Sequence, residues 1–269
     1  MMEFLSVPFL RHILLAGLFV AIGLSPLSVY VVLRRIVFSG AAVAEVASAA
    51  VALAVLFQIA PFPLALLLTV ITFLALSRLA DTTRLPPETL VGMLYAGGSA
   101  ASVLLIVKAP RGEADILNIL FGNILTVEPA VLWGMAIVFG IVFALQYVAA
   151  KEFLISAYDP DMGRTLGIKV DVWNMIFYGT LGLAVAVAIR AVGALMTFTM
   201  LVAPGASALC LTERLSRTFK IALVMGILAS ISGVMVSYQY DLPTGSTIVA
   251  ILVGFFILSF GIGQFRKRV

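Results

Sequence analysis

"ILLAGLFVAIGLSPLSVYVVLRRIVFSGAAVAEVASAAVALAV", residues 13–55, decides the fold. It holds two long apolar runs, parted by Arg34 and Arg35. Each run approaches the about 20 apolar residues that a helix needs to cross a bilayer. The first, Ile13–Leu33, is too long for the core of a signal peptide. It also runs on into "RRIVFSG" rather than a small-residue cleavage site, so we expect a retained first span. The second carries one acid, Glu45, among alanines.

The rest of the chain repeats this pattern. Of its 269 residues, 62% are hydrophobic and 11% charged, and the mean hydropathy is +1.17. Soluble domains carry about 25% charged residues, so this composition means an integral membrane protein. Cys210 and His12 are each the single residue of their type. That excludes an internal disulfide, a multi-cysteine metal cluster and a two-histidine site within one subunit.

Charge-free gaps mark further spans. The second covers about 36–58, and "APFP" at 60–63 turns the chain into a third at about 64–77. The fourth lies between Glu88 and Lys108, the fifth between Glu128 and Lys151, and the sixth between Asp171 and Arg190. The seventh lies between Arg190 and Glu213, the eighth between Lys220 and Asp241, and the ninth between Asp241 and Arg266. About nine spans are expected, in one transmembrane domain over 1–269. "ILNILFGNILTV", 116–127, is too short to cross. It reads either as a re-entrant or interfacial helix pair broken at Gly122, or as a surface loop helix.

Nine spans sort the positive charge. One side then holds 13 of the 17 Lys and Arg, leaving Arg11, Lys108, Arg111 and Arg190 on the other. The positive-inside tendency puts the N-terminus outside and the C-terminus in the cytoplasm. The net charge of +4 is thus spent on membrane orientation, and no nucleic-acid partner is expected. The longest inner segment, 151–172, has both charge signs and a turn at Asp159-Pro160. It predicts a short amphipathic helix on which a soluble partner docks; an ordinary solvated loop is the alternative.

Four stretches carry a family resemblance: "RRIVFSGAAVAEVASAAVALA", "SAYDPDMGRTLGI", "VGALMTFTMLVAPGASA" and "DLPTGSTIVA". They occur in the order seen in the permease subunits of metal-uptake ABC transporters of the zinc, manganese and iron class, which the chain resembles from about residue 9 to 260. "LFGNIL" resembles that family's Leu-Phe-Gly-Asp-Ile segment. The resemblance implies an all-α type II ABC importer permease in a prokaryotic inner or plasma membrane. It implies a homodimer that encloses a path for an inward-moving divalent metal ion, the cargo rather than a resident cofactor. A cytoplasmic ATP-binding subunit would dock on a coupling helix at about 160–167, which assigns Asp159, Pro160, Asp161, Arg164 and Gly167 to coupling. An extracytoplasmic substrate-binding protein would deliver the cargo. The permease would be no enzyme itself, and the sequence has no Gly-x-x-x-x-Gly-Lys-Ser/Thr loop.

Members of that family usually carry Gly-Asp-Ala-Leu-Ser-His-Ala early in the second span. Here it reads Gly40-Ala41-Ala42-Val43-Ala44-Glu45-Val46, so Ala41 replaces the acid and Glu45 the histidine. The Pro-Gly that often follows is Ala49-Ala50, and the acid after the third span's basic loop is Glu88.

Counted from Ile36, Glu45 lies about 14 Å into its helix, close to mid-bilayer. A carboxylate there costs at least about 2.5–3.5 kcal/mol and needs compensation. Paired across a two-fold axis, two such groups could hold a hard divalent ion such as Mn²⁺. A protonated Glu bonded to a neighbouring carbonyl is the structural alternative. Ser48, Thr197, Thr199 and Pro204 are the further candidates to line the path, Pro204 by kinking the seventh span. Helix packing explains those residues too, and packing in lipid explains the ten methionines. His12, Asp241 and "YQY" at 238–240 fall at the outer boundary. Two other functions stay open: a permease for a metal chelate or other small substrate, and a secondary transporter coupled to protons through Glu45.

Overall fold

The computed structural model describes residues 8–82, 85–108 and 129–268. The segment 116–127 falls outside these, as does Arg84. Every element among the described residues is helical, and nine stretches are long and apolar enough to cross a membrane, as expected.

Helices α1 (Pro8–Leu33) and α2 (Ser39–Leu56) form the opening hairpin. A tight turn joins them, with Arg35 in the left-handed region at φ 57°. The turn delays α2 to Ser39, three residues beyond the Ile36 taken from the sequence. Glu45 is therefore about 9 Å along α2, a third of the way rather than halfway. Helix α3 (Pro61–Thr82) is longer than expected, because Pro61 and Pro63 occupy its first turn. A proline there forfeits no helical hydrogen bond, so the "APFP" turn also starts the helix. Helix α4 (Pro87–Lys108) follows, then α5 (Pro129–Val148).

Two short helices, α6 (Ala150–Tyr158) and α7 (Pro160–Thr165), lead to α8 (Val170–Val192). The seventh span is two pieces, α9 (Ala194–Met200) and α10 (Ala203–Leu211). Helices α11 (Leu215–Tyr240) and α12 (Thr244–Arg268) complete the chain.

The layering shows in how deeply each span is buried. The first span is 72% buried and the α8 span 67%, whereas the α4 and α12 spans are each 17% buried. Helix α1 is therefore the axis, packed against α5, α8, α10 and α11, while α4 and α12 lie at the periphery of the chain with most of their surface uncovered. Lipid tails are as apolar as leucine, so close packing, rather than escape from water, holds such helices together. Small residues allow it. A Cβ on Gly205 of α10 would lie 2.6 Å from the Ser28 carbonyl of α1, so only glycine lets these backbones meet. Ser28 itself satisfies its buried hydroxyl by donating to the Ser25 carbonyl at 2.6 Å.

The α9–α10 break falls at Leu201 and Val202. Pro204 lies in the first turn of α10 and has no N–H to offer the Met200 carbonyl four residues back. The proline thus begins a new helix instead of bending an old one. At the start of this span Gly193, with φ 84°, ends α8 and lets α9 leave in a new direction.

Candidate functional site

Glu45 sits where α2 crosses α4. Gly98 of α4 faces it so closely that an added Cβ would be 3.0 Å from the Val46 nitrogen and 3.1 Å from the Glu45 Cβ. Glu45 is half-buried, and Ala41 and Ala49, one turn before and after, share that partial exposure. Together they make a stripe of small residues with one carboxylate along the side of the chain. Ser48, only three residues on, is turned inward and 2% exposed.

The seventh span approaches the start of α2, at Phe38 and Gly40, five to seven residues before Glu45. Phe38 and Phe198 lie with ring centroids 6.3 Å apart, and Gly40 faces Leu201 at the helix break. Thr197 is buried and donates its hydroxyl to the Gly193 carbonyl at 2.7 Å; Thr199 donates to the Leu195 carbonyl at 2.9 Å. Both protons are thereby committed within α9, and each oxygen keeps lone pairs. Pro204 is buried in α10, near α1. The structure thus gathers the α2 start, Glu45 and the helix break on one side of the molecule, while Ser48 and the threonines face its interior. Among the described residues, no three His, Cys, Asp or Glu side chains gather as a metal site. Within α2, Glu45 is the one carboxylate.

At the basic end, α7 has every mark of a short, fixed helix. The Asp159 carboxylate accepts from the Met162 N–H at 2.9 Å, and Pro160 holds the first helical position. Gly167, with φ 79°, turns the chain away just after it. Gly163 is buried against Ile155 and Val170, which seats α7 on α6 and α8. Asp161 and Arg164 remain exposed, and Arg164 pairs with Asp161 at 3.4 Å and Asp171 at 3.3 Å. Pairs this open to solvent contribute little stability. Beside them Tyr158, Met162 and Leu166 are also exposed, apolar groups on a polar surface.

Arg34 links this end to the spans. Its Nη1 donates to Asn174 Oδ1 of α8 at 2.7 Å and its Nη2 to Ser156 Oγ of α6 at 2.9 Å. The guanidinium carbon stands 4.3 Å from the Phe177 ring centroid. Tyr30, Phe153 and Phe177 meet edge-on around it, at 5.7–5.9 Å between centroids. In the sequence Arg34 counts only as an orientation charge; the tyrosine one turn earlier is the one sign of its aromatic surroundings. Gly98 and the break at Leu201 were likewise unmarked, though Gly97-Gly98 inside an apolar run signals close helix approach.

Comparison with known proteins agrees with this geometry. The model of the ABC 3 transport family matches residues 6–263. A "Probable iron transport system membrane protein" of Haemophilus influenzae is 29% identical over 271 residues, covering 100% of this chain and 98% of its own. The "Manganese transport system membrane protein MntC" of Halalkalibacterium halodurans is 29% identical over 261 residues, covering 96% and 88%. Among solved structures, PsaBC from Streptococcus pneumoniae in complex with Fab superimposes with TM-score 0.81 at 24% identity, covering 96% of this chain and 94% of that one. A shared family over nearly the whole length, with nine stretches among the described residues long and apolar enough to cross a membrane, leaves one conclusion: the chain is a multi-pass membrane permease belonging to the ABC 3 transport family.

Proposed function

We propose that this permease moves a divalent metal ion, such as manganese, zinc or iron, into the cytoplasm, driven by ATP hydrolysis on a separate subunit. The observation that carries this is Glu45. It is a half-buried carboxylate on a stripe of small residues beside a broken helix, in a chain of the ABC 3 transport family whose relatives include proteins named for iron and manganese transport. An acid inside the membrane is expensive, and such groups mark ion pathways by default. Broken helices next to a cavity serve the same purpose, since unwound backbone is tolerated in a membrane only where protein or water satisfies it.

The chain acts as a homodimer. A two-fold axis beside the α2 stripe brings two Glu45 carboxylates to one path and doubles the oxygen ligands that a single chain lacks. Ser48, Thr197, Thr199 and Pro204 stand behind that path, setting its width. No cofactor is held permanently; the metal is cargo.

The ATP-binding subunit docks on α7. Asp159 and Pro160 hold the helix, Asp161 and Arg164 offer charge, and exposed Tyr158, Met162 and Leu166 offer apolar contact. This puts α7 and the C-terminus in the cytoplasm and the N-terminus outside, in line with the skew of positive charge. A substrate-binding protein then meets the opposite end, where Tyr238, Tyr240 and Asp241 are exposed.

The test is reconstitution with the ATP-binding subunit and binding protein in proteoliposomes. Free Mn²⁺, Zn²⁺ and Fe²⁺ are compared with their chelates for stimulation of ATP hydrolysis. Stimulation by a free ion supports the reading. Stimulation by chelates alone, or uptake driven by a pH gradient without the ATPase, overturns it.

A further inference from the structure

Far from Glu45, a groove of about 430 Å³ opens on the side of the chain between α5 and α11, with α1 as its floor. Phe143 and Tyr147 form one wall, Phe219 and Leu223 the other. Tyr147 is 81% exposed on a membrane-spanning helix, so this face looks into lipid rather than water. At the mouth stand Ser216 and Lys220, both in the first turns of α11. Lys220 is exposed and makes no ion pair among the described residues.

A second polar group points to an occupant. Gln146 lines the groove and is 5% exposed. Its Nε2 donates to the Gly23 carbonyl at 3.4 Å, yet its buried Oε1 has no hydrogen-bond partner. A buried acceptor left empty is costly, and a ligand hydroxyl would fill it.

We propose that this groove binds an anionic phospholipid with a hydroxyl-bearing headgroup. The phosphate lies against Lys220 and Ser216, a headgroup hydroxyl donates to Gln146 Oε1, and an acyl chain runs between the Phe143–Tyr147 and Phe219–Leu223 walls. Basic pockets between membrane helices on the cytoplasmic side recognise lipid headgroups in this way. A second copy of the chain fits this face less well. A two-fold contact would bring the patch onto itself and place two Lys220 side chains together. The proposal takes its choice of leaflet from the orientation proposed above and nothing else from the transport reading.

The test uses the full chain, purified from bilayers of equal phosphatidylglycerol and phosphatidylcholine and weighed by native mass spectrometry. Wild type retains phosphatidylglycerol in preference to phosphatidylcholine. Lys220→Gln lowers that retention about fivefold, the attraction of one lysine for an anionic lipid. Ala150→Phe, which narrows the groove, removes it while the melting temperature in phosphatidylcholine stays near wild type. Equal retention of both lipids, or wild-type retention by Lys220→Gln, overturns the proposal. So does a disulfide between two chains carrying Tyr147→Cys, which would show a second copy on this face. None of these readings needs a metal or an ATPase, so they stand or fall separately from transport.

Discussion

Arg34 Nη1 donates to Asn174 Oδ1 across 2.7 Å, tying the C-terminal end of the first span to the start of the sixth. The same guanidinium holds Ser156 of α6, the helix that leads into α7. One side chain thus joins the central helix of the bundle to the segment on which an ATPase is proposed to dock. Arg suits the place because its planar fork reaches two acceptors at once and stacks on an aromatic ring.

Replacing Arg34 therefore costs stability. Arg34→Gln leaves Asn174 and Ser156 without their donors and removes the cation from the Phe177 face. We expect a loss of about 1–3 kcal/mol, the usual cost of stranding buried polar groups. Arg34→Lys recovers part of it, since it keeps the charge but not the fork. Thermal unfolding in detergent reads both; a wild-type melting temperature for Arg34→Gln would contradict the role.

Gly98 gives a second test. Any side chain here meets the backbone of Glu45 and Val46 at 3.0–3.1 Å, and backbone cannot step aside as a flexible side chain can. Gly98→Leu should push α4 off α2 and cost about 1–3 kcal/mol, as overpacking does. The neighbouring Gly97 is exposed, so Gly97→Leu serves as the control and should leave the melting temperature unchanged.

The docking helix makes a third. Asp159→Ala removes the cap on the Met162 N–H and should cost about 0.5–2 kcal/mol of local helix stability. Gly167→Ala strains a backbone at φ 79° and loosens the exit from α7. Both should weaken capture of the ATP-binding subunit in a pull-down while membrane insertion stays normal. Undiminished capture by the double variant would move the docking site elsewhere.

The spans were legible in the sequence because each is a charge-free run of near-membrane length, and α7 because Asp159-Pro160 and Gly167 punctuate it. Contacts between distant segments left no such mark. The 2.7 Å bond from Arg34 to Asn174 joins residues 140 positions apart, and nothing local in "LRRI" distinguishes Arg34 from Arg35. The depth of Glu45 was misjudged because hydropathy continues through Ile36–Phe38, where the backbone is still turning. The split of the seventh span was visible only as Pro204, which names the residue that starts α10 but not the two residues before it where α9 stops.

The central claim is that Glu45 meets the transported ion, and ⁵⁴Mn²⁺ uptake by proteoliposomes holding the permease, its ATP-binding subunit and the binding protein tests it most directly. Glu45→Gln keeps the shape and removes the charge. It should fold at least as stably as wild type, because an acid within a span costs about 2.5–3.5 kcal/mol. Its uptake should fall at least about tenfold, equivalent to about 1.4 kcal/mol of lost ion stabilisation. Wild-type uptake by a well-folded Glu45→Gln permease would contradict the account.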